Sequence, residues 1–599
     1  MPITTPVPIL VDFLGFLIKG SKGSFRKNIA IDLRLYADYN QSGTVEETDA
    51  NYNLRATYPG AILFFACKPF NTRLSSFKIH AEKHKIVSKD HLGIVTSLKL
   101  VHTKGLQKGD EVKLWMGSGE ADRVMLFNDE KVGAKAILGK GVATEAKIKI
   151  SSAKFSSVKL SMTAVLSPSV PKERVFVNIK VMRKGKEIFK DRCMFGMAPW
   201  LMPNTLANVT TVFVIKNGFT GGFISTLRGL LAKVGIPLIE LKSTDALGIP
   251  EPNGDHWTQD MFELGVLTRK NDPFPVTLGS ASVYPRRRPG VNGVWKDFTS
   301  LGNGMIKAEK QDGGSMNSFG NLEVTPPLSG FPLGRKYHGV VDTSVAGGSS
   351  HTDIEKNVRD FLDKERYQPV TRIPTNWLSV GHVDEFLSII PVKSSATEFR
   401  ILYASPGKAE RLCLALQTAG RGGELICAGK GLGYEISVDD FIANRDDLKT
   451  KNRQIEKFIV DKVIKDILNK EWKLTATHFV PIPTLFNGSI NGSGFLEDCI
   501  ARSAGMVNCL VLGKDRGLLI MPKPFGPINA AGIDIFEKSA REDIARTTNM
   551  DVEFIDDWDE YHTLAGEVHC GTNVTREVPD ELFTWWEKSL EIDGNLVNN

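Results

Sequence analysis

Between about residue 24 and residue 190, apolar and polar residues alternate along short runs: NIAIDLRLYADY, GAILFFACK, GIVTSLKLVHT, EVKLWMG, AKIKISSA, VKLSMTAVL and RVFVNIKVMRK. A period of two places the apolar set on one face of an extended strand. Turn residues at short, fairly regular intervals separate the runs, so this stretch predicts a β-sandwich, with LSPSVPK (166–172) as a loop inside it. After MAPWLMPNT (197–205) the texture changes. Strands such as TVFVIKN alternate with amphipathic segments such as DIEKNVRDFLDKER and RQIEKFIVDKVIKDIL, the latter placing Ile455, Phe458, Ile459, Val463 and Ile467 on one helical face. The remainder reads as α/β. The predicted boundary is at 205, with a sandwich over 1–205 and an α/β domain over 206–599.

The apolar opening MPITTPVPILVDFLGFLIKG has no basic n-region, carries Asp12 and is too short to span a bilayer. It reads as a first strand pair or a processed end within an N-terminal extension of about 25 residues, and no signal peptide is recognisable in it. No later apolar run reaches the length of a transmembrane helix, so no membrane partner is expected.

A length of 599 residues exceeds one ordinary core, and 42% hydrophobic with 24% charged residues is the balance of a soluble globular protein. Seventy-five Lys and Arg against 69 Asp and Glu leave a net charge of only +6, in no long basic block, so nucleic acid is not an expected partner. The seven cysteines (Cys67, Cys193, Cys413, Cys427, Cys499, Cys509 and Cys570) show no CxxC spacing of a zinc or dithiol site. Cytoplasmic and secreted locations both stay open.

Three segments carry candidate chemistry. In NWLSVGHVDEFLSIIP (376–391) the alternation and β-branched residues favour a strand, in which His382 and Asp384 share a face. In GDHWTQDMFELGV (254–266), Asp255 and Asp260 flank Trp257, and a carboxylate in an apolar run needs a partner. In GEVHCGTNV (566–574), Cys570 ends an alternating run. Each has an ordinary reading: a satisfied core histidine, a loop or cap carboxylate, a small buried thiol. Together they supply a thiol, an imidazole and two carboxylates, which is what hydrolysis of a guanidinium requires. That cation keeps its charge and presents five N–H donors in a rigid fork, so its pocket needs carboxylates. Once its charge is localised by bidentate pairing, a thiolate can add to its carbon, and one histidine can protonate the leaving ammonia and then activate water.

The segments NWLSVGHVDEFLSIIP, GEVHCGTNV, WTQD, SFGNLEVTPP (318–327), MVNCLVLGKDRG with PKPFGP (506–527) and MAPWLMPNT resemble those of the protein-arginine deiminases, over essentially 193–599. DLRLYADYNQSGTVE and GAILFFACK resemble, more loosely, that family's middle immunoglobulin-like domain. The resemblance implies an immunoglobulin-like β-sandwich followed by a pentein, the five-fold α/β propeller of guanidine-modifying enzymes. It implies that the additional N-terminal domain of the vertebrate members is missing, since too few residues precede position 30. It implies Cys570 as nucleophile, His382 as general acid/base, Asp260 and Asp384 as the guanidinium clamp, and Trp257 lining the channel for the arginine stem. The substrates implied are arginine-containing proteins or peptides. A homodimer is expected by analogy with the family.

Family members are calcium-dependent, and the site nearest their active centre resembles a set available here: the side chains of Gln259, Glu263 and Glu323 with the carbonyls of Phe319 and Leu322, all oxygen donors suited to Ca²⁺. If these residues lie on a strand, a metal on one face fixes Asp260 on the other. Other family calcium positions look eroded, with Met261 after the clamp aspartate and ACKPF (66–70) after GAILFF. Separately, Asp38, Asn40 and Ser42 with Gly43, Glu46 and Asp49 have the oxygen spacing of a calcium loop, but they follow a strand, and a polar hairpin is the plainer reading. Leu564 and Ala565 stand where vertebrate members carry an arginine at the site's mouth, and Arg286, Arg287 and Arg288 lie where the family has arginines that hold the substrate backbone. Two alternatives remain: a pentein deiminating free arginine or a small guanidine such as agmatine, and a catalytically silent calcium-binding pentein module.

Overall fold

The computed structural model describes residues 31–39, 45, 49, 60–64, 95–131, 133–152, 156–165, 173–243, 254–269, 272–279, 304–307, 314–344, 351–431, 433–588, 590–592 and 595–597. The N-terminal extension lies outside them. The described residues of the alternating region form two five-stranded sheets. Its strands are β1 (Asp32–Ala37), β2 (Ala61–Leu63), β3 (Thr96–Lys104), β4 (Glu111–Trp115), β5 (Val124–Phe127), β6 (Ala136–Gly139), β7 (Glu145–Ile148), β8 (Ser156–Ala164), β9 (Arg174–Arg183) and β10 (Lys186–Met197). The sheet orders are β1-β3-β8-β5-β6 and β2-β10-β9-β4-β7. Alternation does what it should: Leu33 and Leu35 of β1, Leu98 and Leu100 of β3, and Val175, Val177 and Ile179 of β9 are buried in one core cluster.

That core continues into the α/β part through Trp200. Its Nε1 donates to the carbonyl of Val276 at 2.8 Å, and Leu201 exchanges backbone hydrogen bonds with Val266. The indole lies flat against Gly265, leaving no room for a Cβ there. Gly265→Ala is therefore expected to destabilise the fold by about 2 to 3 kcal/mol through overpacking, measured as a lower denaturant midpoint.

Beyond residue 205 the described residues build five three-stranded units with one repeated pairing rule. Their strands are β11 (Val209–Lys216), β12 (Leu238–Lys242), β13 (Phe262–Arg269), β14 (Asp272–Gly279), β15 (Gly304–Lys307), β16 (Leu322–Val324), β17 (Lys336–Val340), β18 (Val370–Pro374), β19 (Leu387–Pro391) and β20 (Phe399–Ser405). After the hairpin β21 (Leu425–Ile426) and β22 (Ile436–Ser437) come β23 (Phe479–Pro483) and a second hairpin, β24 (Phe486–Ile490) and β25 (Leu496–Ala501). Then follow β26 (Leu510–Val511), β27 (Leu518–Pro522), β28 (Asp551–Ile555) and β29 (Thr572–Arg576).

The units are β29-β11-β12, β13-β14-β15, β16-β17-β18, β19-β20-β23 and β26-β27-β28. In each, the middle strand runs antiparallel to the first and parallel to the third. A parallel pair needs a crossover, and helices supply it: Gly221–Lys233 between β11 and β12, Lys356–Glu365 between β17 and β18, Pro406–Thr418 and the helical run from Leu448 between β20 and β23, and Ile535–Thr548 between β27 and β28. The first unit takes its antiparallel strand from the far end of the chain. Residues of the five antiparallel strands β13, β16, β19, β26 and β29 together line one cavity of about 390 Å³. Among the described residues no helix is long and apolar enough to cross a membrane.

The strand expected across 376–391 is corrected. Only Leu387–Pro391 is extended into a ladder; Val383–Glu385 is a 3-10 turn. Gly381 takes φ +90°, and the Glu385 carboxylate accepts the backbone N–H of both Gly381 (2.9 Å) and His382 (2.8 Å). A side chain that returns to cap its own turn outcompetes the strand the alternation suggests. Likewise Gln259 and Asp260 sit on the short helix Thr258–Met261 that leads into β13, not on a strand.

Candidate active site

These turns aim four polar side chains at one spot. Cys570 occupies the turn before β29, Asp260 the helical turn before β13, and His382 and Asp384 the 3-10 turn before β19. Cys570 is 5% exposed, and the other three are buried. Its thiol lies 3.5 Å from Asp384 Oδ2. His382 Nδ1 lies 3.7 Å from Asp260 Oδ1 and 4.0 Å from Asp384 Oδ1.

His382 Nε2 is 2.8 Å from the carbonyl of Ser315. A carbonyl only accepts, so Nε2 carries a hydrogen, and Nδ1 is the ring atom turned toward the carboxylates. His382 Nδ1 and Asp384 Oδ1 are buried with no hydrogen-bond partner among the described residues. Such atoms are costly unless something fills the space between them.

That space lies above Gly320, in the 3-10 turn Phe319–Asn321. A methyl carbon on Gly320 would lie 2.8 Å from His382 Nδ1, 2.9 Å from Asp384 Oδ2 and 3.2 Å from Asp260 Oδ1. Gly320 thus floors a slot walled by two carboxylates and an imidazole, with the thiol alongside. Gly566 is held between the Trp257 indole and Cys570, so the indole stands beside the thiol. Trp257 packs on His256 and Tyr561, with ring centroids 4.8 and 5.5 Å away. Burial, and then the charges of Asp384 and Asp260, push the Cys570 thiol well above its ordinary range. A cation in the slot would neutralise those carboxylates and favour the thiolate.

Three neighbours of this site were not singled out from sequence. His569 Nδ1 bonds Asp384 Oδ2 at 2.9 Å, and its Nε2 lies 3.3 Å from Glu323 Oε1. Burial acts to lower the His569 pKa, but the Asp384 hydrogen bond and the Glu323 charge outweigh it and the net shift is upward. Asn508 bonds the Cys570 sulfur at 3.2 Å. Glu385 holds the His382 turn. A carboxylate three residues after a histidine, and an amide inside the apolar run MVNCLVL, were the signals available.

The oxygen donors expected to take a cation lie on the other side of Asp384, at the cavity. Gln259 Nε2 spans Glu263 Oε2 (2.9 Å) and the Phe319 carbonyl (3.3 Å). Burial and mutual repulsion push Glu263 well up, and burial holds Glu323 at about 7. With the Gln259 amide turned over, its oxygen would stand beside a Glu263 carboxylate oxygen and the Phe319 carbonyl, and the Glu323 charge acts on Glu263. This donor set fits a hard cation. Among the described residues no three His, Cys, Asp or Glu side chains form a metal-ligating group.

Of the other loop considered, Asp49 Oδ1 accepts the backbone N–H of Tyr39 at 2.9 Å, and Asp38 and Asp49 are both buried. Asn40 and Ser42 lie outside the described residues, as do Arg286, Arg287 and Arg288. Leu564 is 53% exposed, two residues before Gly566. The six described cysteines are buried free thiols.

A mixed α/β domain that sets a buried thiol and an imidazole against two carboxylates defines a thiol-based site for a cationic group. The match is specific: residues 187–587 fit the protein-arginine deiminase (PAD) family model, and the chain belongs to that family. It is similar to protein-arginine deiminase type-3 of Rattus norvegicus and of Homo sapiens, each 34% identical over 410 residues, and to the Rattus norvegicus type-4 protein at 32%. These matches cover 67% of this chain and 57% of the length of the relatives. A solved structure, C. jejuni agmatine deiminase, covers 64% of this chain and 97% of its own at 9% identity and TM-score 0.36. Likeness at that level distinguishes nothing about substrate.

Proposed function

We propose that the chain hydrolyses the guanidinium of peptidyl arginine to citrulline and ammonia, with Cys570 as nucleophile. The observation that carries this is the slot above Gly320, where Asp260, Asp384 and His382 Nδ1 converge beside the Cys570 thiol. A guanidinium entering it gives its N–H groups to Asp260 and Asp384, which fixes its plane and localises its charge. Neutralising both carboxylates removes the repulsion that keeps the thiol protonated, and the proton passes to His382. The thiolate adds to the guanidinium carbon. His382 gives its proton to the departing nitrogen, leaving a thiouronium on Cys570, and then takes one from water as the water adds to the same carbon. Collapse breaks the C–S bond and releases citrulline. Trp257 stacks along the arginine stem.

The five units sharing one pairing rule around a cavity support a pentein as the catalytic domain, 206–599, and the two sheets before it support an immunoglobulin-like sandwich over 1–205. Calcium, held by the side chains of Gln259, Glu263 and Glu323 and the carbonyls of Phe319 and Leu322, would supply positive charge that offsets two buried carboxylates. Gln259 N–H donates to the Cys570 carbonyl at 3.1 Å, so ordering Gln259 also orders the nucleophile's turn. Glu323→Gln is expected to raise the calcium concentration for half-maximal activity about tenfold or more, and to weaken calcium binding measured calorimetrically without substrate by a similar factor. An unchanged binding isotherm would remove Glu323 from the ligand set.

The deciding experiment compares turnover of an N-acylated arginine amide, free arginine and agmatine, in calcium and in chelator. Preference for the acylated amide with calcium supports the proposal. Preference for free arginine or agmatine would replace it with a small-guanidine deiminase.

A further inference from the structure

Two turns meet behind the thiol: the one ending in Asn508, before β26, and the one ending in Cys570, before β29. Asn508 is buried, and all of its side-chain hydrogen-bonding capacity is spent here. Its Oδ1 accepts the backbone N–H of His569 (3.0 Å) and of Cys570 (3.2 Å). A peptide N–H can only donate, so the amide's orientation is fixed by chemistry: Oδ1 faces the turn and Nδ2 faces the other way. Nδ2 lies 3.3 Å from the carbonyl of Asp384 and 3.2 Å from Cys570 Sγ, one hydrogen for each. The backbone of Asn508 is itself held, its N–H donating to Gly505 and its carbonyl accepting from His569. One amide therefore ties the nucleophile's sulfur, the nucleophile's backbone and the backbone of a clamp carboxylate into a single geometry.

We propose that Asn508 is a further catalytic residue of this site, its side-chain amide holding the Cys570 sulfur against the guanidinium slot and donating a hydrogen bond to it whenever it is an anion. This rests on Cys570 being the nucleophile. The sulfur is negative twice per turnover: before its electron pair forms the C–S bond, and after that bond breaks and the pair returns. An N–H aimed at it in advance is worth more to the anion than to the neutral thioether, and needs no reorganisation when charge develops. Nothing in this contact touches the guanidinium, so its loss acts on kcat and not on KM.

Asn508→Asp keeps the shape and the oxygen that accepts the two peptide N–H groups but replaces the N–H donor with an oxygen. It is expected to lower kcat about 10²-fold with KM within about threefold of wild type, the scale of losing one preorganised donor to a reacting anion. Asn508→Ala, which removes the same donor without adding a charge, is likewise expected to lose about 10²-fold. Without substrate, and at one fixed pH, the rate at which iodoacetamide alkylates Cys570, located by peptide mass spectrometry, should fall in parallel in both variants. In the wild-type protein labelled with ¹⁵N-asparagine, the Asn508 side-chain amide resonance should shift when Cys570 is alkylated. A folded Asn508→Asp that alkylates at the wild-type rate, a defect confined to KM, or an amide resonance indifferent to alkylation would each overturn the proposal. Alkylation and the resonance need no turnover. Slowed alkylation in the variants and a shifted resonance in a wild-type protein that deiminates nothing would defeat the functional reading and leave the Asn508 contact standing.

Discussion

Cys570→Ala is expected to form no measurable citrulline, a fall of at least about 10⁴-fold, since removing a nucleophile from a cooperating set costs nearly everything the set supplies. Read by mass spectrometry of an arginine substrate after long incubation, the variant should show no conversion while wild type goes to completion. The same substitution should leave the fold intact. It removes one buried sulfur whose surroundings, Asp384 at 3.5 Å and Asp260 beyond, disfavour its anion, so the cost is expected to stay near 1 kcal/mol. Asp260 and Asp384 keep their positions, so an arginine amide should still bind, and calorimetry should detect it. Equal conversion by variant and wild type would refute the role given to Cys570. No conversion by either, with ligand still bound, would leave the silent calcium-binding module as the better reading.

Gly320→Ala is expected to lower kcat/KM about 10³-fold, because the added methyl occupies the space a guanidinium needs and pushes apart the groups that would grip it. The three atoms it meets belong to His382, Asp384 and Asp260, and the first two lie under 3.0 Å from the new carbon. Gly320 has no positive φ to protect, so its backbone would accept alanine readily. A thermal melt should therefore change little while binding of the arginine amide disappears. Retained turnover would mean that the guanidinium sits elsewhere.

Much of the fold can be read from the chain, and its limits have local causes. The period-two runs placed Leu33, Leu98 and Val175 on buried faces, and of the predicted helical face Ile455, Phe458, Ile459 and Val463 are buried while Ile467 is half-buried. The four polar residues of the site were legible as a chemical set, and the structure brings them together. The strand drawn through His382 was wrong because Glu385 returns to cap the backbone ahead of it, a contact that periodicity does not encode. Gly320 carried no signal at all: it matters for the side chain it lacks, and only the positions of Asp260, His382 and Asp384 reveal that. Asn508 and His569 lay in segments whose resemblance was plain, yet their roles depend on which turn stands opposite them, and that is set by pairings between distant strands.

The first unit borrows β29 from the far end of the chain, where Val212 pairs with Val574 and Val209 with Arg576. Asp260, His382 and Asp384 emerge from the ribosome well before Cys570, and the turn that carries the thiol leads directly into β29, which docks on β11. A nascent chain that stops short of β29 therefore carries the carboxylates and the imidazole but lacks the strand that follows the thiol's turn. Synthesis through β29 would then be the arming step of the proposed reaction.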